Sequence, residues 1–144
     1  MIQSQILQPV VVLLAWTMIM WLWMYATRIP AMSKAGIDPN DARRTKALDE
    51  TLPAEVQWKA HNYNHLHEAP TVFYAVALVL ALLGLGDGMN ALIAWIYVGL
   101  RIIHSLVQAT ANVVMVRFVL YALSSVALIV LIFHVAIVVF DIHI

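Results

Sequence analysis

Arg101, His104 and Gln108 stand inside a stretch whose other members are almost all apolar. Their spacing of three and then four residues puts them on one face of a helix, and Asn112 continues the line four residues on. A charge in hydrocarbon costs at least ~2.5 kcal/mol even on the most forgiving insertion scale, so it persists where a polar interior or a ligand meets it. The chain has no cysteine and no serine, histidine and acid at a recognisable catalytic spacing. What the stripe offers is therefore cations and hydrogen-bond donors rather than a nucleophile. Such a site suits an anionic small molecule that brings its own reactive group. If that group is a thiol, a nearby guanidinium favours the thiolate.

A second polar run, Glu55 to Glu68, precedes another apolar stretch, and His61, Asn64, His65 and Glu68 share one helical face there. Glu68 lies ten residues past Trp58. With that Trp at the interface, the carboxylate sits ~15 Å deep at 1.5 Å per residue. Glu68 and Arg101 have opposite charge and similar depth, so a ligand site and a mutual ion pair are both open. Arg117, Tyr121 and Ser124 line one face of the last apolar stretch. Taken singly, Lys59 and Arg117 snorkelling to headgroups, wet interfacial His61 and Asn62, and Tyr121 in an aromatic belt are equally good readings. A zinc or iron set from His61, His65, Glu68 and His104 competes. Membrane metal oxygenases need many more histidines, and His134 and His143 fall at the opposite end, so no metal is expected.

The elements that must position these groups follow from composition. Of 144 residues, 63% are hydrophobic and 11% charged, which excludes an ordinary soluble domain and predicts an integral membrane protein. Four spans are expected, at about residues 6–27, 55–85, 91–111 and 117–140, each long enough to cross a ~30 Å core. The whole chain, 1–144, is then one all-α, four-helix membrane domain. The first span carries no Lys or Arg at its start and is bulky with Trp16, Trp21 and Trp23, so it reads as a retained span rather than a signal peptide. The connection of about residues 28–54 is expected to begin irregular at Pro30, with a short surface helix in Asp41 to Glu50 and the second helix starting near Pro53. Six of the eight Lys and Arg (Arg28, Lys34, Arg43, Arg44, Lys46 and Lys59) flank or fill it. That bias predicts a cytoplasmic first connection with both termini on the opposite side, and the expected location is the bacterial inner membrane. A formal net charge of zero gives no reason to expect nucleic acid.

Arg101-x-x-His104-x-x-x-Gln108, then eight intervening residues, then Arg117-x-x-x-Tyr121, resembles the third and fourth helices of the MAPEG family, membrane-associated proteins in eicosanoid and glutathione metabolism. In active members the frame reads Arg-x-x-His-x-x-x-Tyr, eight residues, Arg-Ser-x-x-Tyr. Ala60-His61-Asn62 through His65-x-x-Glu68-x-Pro70 is similar to the family's Ala-His and Asn-x-x-Glu pattern. The departures are His65 for Asn, Gln108 for Tyr and Phe118 for Ser. The resemblance implies a homotrimer of four-helix subunits that binds glutathione between neighbours as cosubstrate. By that pattern Arg117 stabilises the thiolate, and Glu68, His65, Arg101, His104, Tyr121 and Gln108 hold the rest, with Arg28 contributing from the first span. The implied activity is a glutathione-dependent transferase or peroxidase, whose partner substrate is a lipophilic electrophile or hydroperoxide from the bilayer. A non-catalytic member, whose polar cluster is structural or binds a lipid headgroup or another anion, is the alternative.

Overall fold

The computed structural model describes residues 4–38, 40 and 48–142. Among these the chain is all-helical: α1 Leu7–Lys34, α2 Leu48–Thr51, α3 Ala54–His65, α4 Ala69–Leu82, α5 Met89–Ala109 and α6 Val114–Val139. Helices α1, α5 and α6, and α3 with α4 taken together, are long and apolar enough to cross a membrane. Large apolar side chains such as Val11, Leu22, Leu92, Ile129 and Phe133 point out of the bundle. In water that surface would drive association, whereas in hydrocarbon it is the ordinary exterior. The chain is an integral, multi-pass membrane protein.

The first connection starts later than Arg28. Helix α1 continues through Pro30 to Lys34, because one lost hydrogen bond at an exposed position does not outweigh the turns on either side. The stop comes at Gly36, whose φ of +65° closes the helix with Gly36 N–H donating to the Ser33 carbonyl and Ile37 N–H to that of Met32. Of the expected surface helix, residues 41–47 lie outside the described residues. Leu48–Thr51 forms one short turn, tied down by buried Leu48 and by the Gln57 side-chain amide donating to the Leu48 carbonyl.

The second span is broken rather than continuous. Pro70 lacks the N–H that would bond the Leu66 carbonyl, and its ring would press on that carbonyl in an unbroken helix. The chain turns over Leu66 to Glu68, with His67 N–H donating to the Asn64 carbonyl at 2.9 Å and Glu68 N–H to that of His65 at 3.3 Å. Helix α4 restarts at Ala69, and its first turn is closed by Thr71, whose N–H and hydroxyl both donate to the Glu68 carbonyl, at 3.1 and 2.6 Å.

Ile6, Leu13, Met20, Phe73, Leu80, Tyr97 and Leu131 form the apolar core. At the end holding the α4–α5 turn, Ile6 N–H donates to the Gly86 carbonyl at 2.8 Å and Gln5 N–H to Asp87 Oδ1 at 2.7 Å. Asn90 bridges the same end, its amide donating to the Leu85 carbonyl at 2.7 Å and its Oδ1 lying 2.8 Å from His134 Nδ1. A Cβ on Gly86 would fall 1.9 Å from Ser4 Oγ and 2.6 Å from Ile6 Cγ2. Gly86→Ala is therefore expected to destabilise the bundle by about 1–3 kcal/mol, as overpacking does. Thermal unfolding in detergent checks this, and an unchanged midpoint would show that the contact yields freely.

Candidate functional site

Helix α5 carries the polar stripe, and the stripe faces inward. Arg101 is 1% exposed and His104 3%, while Ser105 and Gln108 are also buried. Arg101 lies against the break in the second span, where Nη2 donates to the His65 carbonyl at 3.2 Å. Its guanidinium also sits over the Tyr121 ring, 5.7 Å from the centroid, a cation–π arrangement. The Nε and Nη1 donors of Arg101 make no hydrogen bond with any described residue.

Around this guanidinium, three rings from three spans come together. The His65 ring of α3 lies 5.1 Å from that of His104 in α5 and 5.5 Å from that of Tyr121 in α6, centroid to centroid. Arg117, one turn before Tyr121, is anchored by Nη1 donating to Asn112 Oδ1 at 2.6 Å. Asn112 occupies the α5–α6 turn with φ of +49°, a conformation that Asn tolerates better than most residues. His65, His104, Val114, Arg117, Phe118 and Tyr121 together line a cavity of about 220 Å³. Positions 114, 117, 118 and 121 present one face of α6, with the guanidinium beside two apolar side chains.

Several residues sit differently from the sequence reading. Glu68 makes no ion pair with Arg101; its side chain is 66% exposed and its Oε2 lies 2.7 Å from His65 Nδ1. The break that restarts the helix at Ala69 turns Glu68 outward, which an unbroken helix would not do. His61 and Asn64 are exposed, and His61 Nε2 faces Asp49 Oδ1 at 3.2 Å. Among the described residues no three His, Asp or Glu side chains converge to hold a metal. Gln108 is buried one turn beyond His104 and Arg28 is half-buried on α1, and neither lines this cavity within the single chain.

Asn62 and Ser105 are the residues that sequence reasoning missed. Asn62 is fully buried rather than interfacial, and its amide donates to Ser105 Oγ at 2.6 Å. Trp16 Nε1 donates to the same hydroxyl at 3.0 Å, so α1, α3 and α5 meet at one oxygen. Ser105 lies one turn from Arg101 on the buried stripe, which was the available signal. An interhelical polar contact of this kind takes the place of a hydrophobic driving force between helices in lipid.

The model of the MAPEG family matches residues 6–137, nearly the whole chain and every element that builds the cavity. The chain belongs to the MAPEG family. No curated protein and no solved structure matches it. MAPEG proteins include glutathione transferases and peroxidases together with non-catalytic members. The membrane four-helix bundle of the family agrees with the helices described above.

In this MAPEG chain Ser105→Ala strands the Asn62 amide and the Trp16 indole at once. The loss is expected to be about 1–3 kcal/mol, the cost of leaving a buried polar group unpaired. Chemical unfolding in mixed micelles should register it, and Asn62→Leu added to Ser105→Ala should restore part of the stability. A double variant no better than the single one would mean that Asn62 does not depend on Ser105.

Proposed function

We propose that the chain is a glutathione-dependent membrane transferase or peroxidase acting on lipophilic electrophiles or hydroperoxides. The observation that carries this reading is the meeting of Arg117, His104, His65 and Tyr121 from three spans on one cavity, in a chain with no cysteine of its own. The activity is one of those found in the family, and the donors support the ligand. Arg101 Nε and Nη1 and Arg117 Nε are buried without partners among the described residues, as suits a peptide rich in carboxylate and carbonyl oxygens.

A cavity of about 220 Å³ is below the usual size of a small-molecule site, which starts near ~300 Å³. That favours a homotrimer in which a neighbouring subunit completes the pocket, and Arg28 of α1 is then the residue such a neighbour would bring. The basic first connection favours a cytoplasmic site in the bacterial inner membrane, where glutathione is available, with both termini on the far side.

Glutathione supplies the thiol. Arg117 favours the thiolate over the thiol by its charge, and the released proton passes to water. Val114 and Phe118 present the apolar wall along which an electrophile reaches the sulfur from the bilayer. In transfer, a sulfur–carbon bond forms as the leaving group departs with its electron pair. With a hydroperoxide, two thiols are oxidised to the disulfide while the peroxide is reduced to alcohol and water.

Arg117→Ala is expected to remove about 2–4 kcal/mol of transition-state stabilisation, by analogy with the loss of one oxyanion donor. Purified protein assayed with glutathione and an aryl halide reads this directly, and equal rates for wild type and variant would reject the role. A thermal-shift screen separates the alternative. Stabilisation by another anion with no response to glutathione would make the chain a non-catalytic, anion-binding member.

A further inference from the structure

Away from the ring-lined cavity, a second cavity of about 600 Å³ lies where the last two turns of α1 pass the start of the α2–α3 segment. Its walls carry opposite charges. Lys34 comes from the last turn of α1 and Glu55 from the first turn of α3, over a floor that includes Ala31 and Val56. Among the described residues neither Lys34 nor Glu55 has an ion-pair partner within 4 Å, although both line the same space. Lys59 adds a second cation nearby, its Nζ donating to the Glu55 carbonyl at 2.9 Å and lying 5.3 Å from the centre of the Trp23 ring. Trp23 and Trp58 mark this level as the membrane boundary, where indoles collect. Ile29, on the neighbouring turn of α1, is exposed.

We propose that this cavity is a phospholipid site selective for a zwitterionic headgroup with a primary ammonium, of the phosphoethanolamine type. Lys34 pairs with the phosphate as a compact point charge, and Glu55 accepts hydrogen bonds from the ammonium. The apolar floor takes the glycerol and first acyl carbons, which is why a lipid fits better than a free headgroup. An anionic phosphoglycerol headgroup satisfies Lys34 but offers Glu55 only neutral hydroxyl donors and no opposite charge. A choline headgroup offers Glu55 a cation without N–H donors. A pocket of 600 Å³ falls within the range of ordinary ligand sites, and basic residues beside a span commonly recognise lipid phosphates.

Native mass spectrometry of the full chain in detergent, with phosphatidylethanolamine, phosphatidylcholine and phosphatidylglycerol of identical acyl chains, tests this. Ethanolamine lipid should be retained roughly threefold over choline lipid, the low end of what one net hydrogen bond contributes. Glu55→Gln should erase that preference while keeping total lipid binding, and Lys34→Gln should lower retention of all three. Both substitutions are at exposed positions and near-isosteric. Equal retention of ethanolamine and choline lipids by the wild type would overturn the proposal, as would a preference that survives Glu55→Gln. Soluble O-phosphoethanolamine should not compete; if it displaces the lipid fully, the occupant is a water-soluble phosphate ester and the lipid assignment fails. Because the readout is lipid retention, it is independent of whether glutathione turns over.

Discussion

A guanidinium held at 1% exposure inside an apolar bundle sets the terms for the rest of this protein. The full cost of transferring a charge to hydrocarbon exceeds what a bundle of this size can absorb, so Arg101 must be met by polar groups from other spans. It is met by a backbone oxygen. Pro70 forces the second span to break, the break leaves the His65 carbonyl able to accept a bond from outside its own helix, and Arg101 takes it at 3.2 Å. Arginine and proline thus depend on each other across 31 residues of sequence. In an unbroken helix the carbonyl would bond the Ala69 N–H; at the break it accepts a long 3.3 Å bond from Glu68 N–H and keeps a lone pair for Arg101, without which the break would expose backbone that lipid cannot hydrate.

The ring cluster follows from the same arrangement. Because Arg101 draws the end of α3 against α5, His65 comes within 5.1 Å of His104, and Tyr121 closes over the guanidinium from α6. Asn112 then holds Arg117 at the mouth. The cations are not neutralised by a carboxylate within the cluster, since Glu68 faces outward and meets only His65 among the described residues. A site whose two arginines make no ion pair among the described residues favours anionic ligands whatever their identity.

Much of this was legible from residue types. Hydrophobic content and run length were enough for four spans, because lipid leaves a long apolar segment few alternatives to a helix. The inward direction of Arg101, His104 and Gln108 followed from spacing and from the cost of the opposite choice. Three features were not legible. A proline near the start of a strongly apolar run does not announce whether it caps, kinks or is tolerated: Pro70 breaks its span and Pro30 does not interrupt α1. The outward turn of Glu68 depended on that break and so was lost with it. Asn62 was hidden because its partner, Ser105, is 43 positions away, and a lone amide carries no mark of who will accept its proton.

The hydrogen bonds between spans gather at two levels of the bundle axis, one at the α4–α5 turn and one around Ser105 and the His65 carbonyl. Gln5, Ile6, Gly86, Asp87, Asn90 and His134 lash all the spans at one end, through backbone as well as side chains. The ring-lined cavity sits toward the other end, beside the α5–α6 turn. There Ser105 and the His65 carbonyl join α1, α3 and α5 by hydrogen bonds, whereas α6 meets them through the Tyr121 ring. Among the described residues the helix that carries Arg117 is thus held to the other helices at the cavity level by shape and ring contact rather than by directed bonds, its one side-chain hydrogen bond to another span lying at His134.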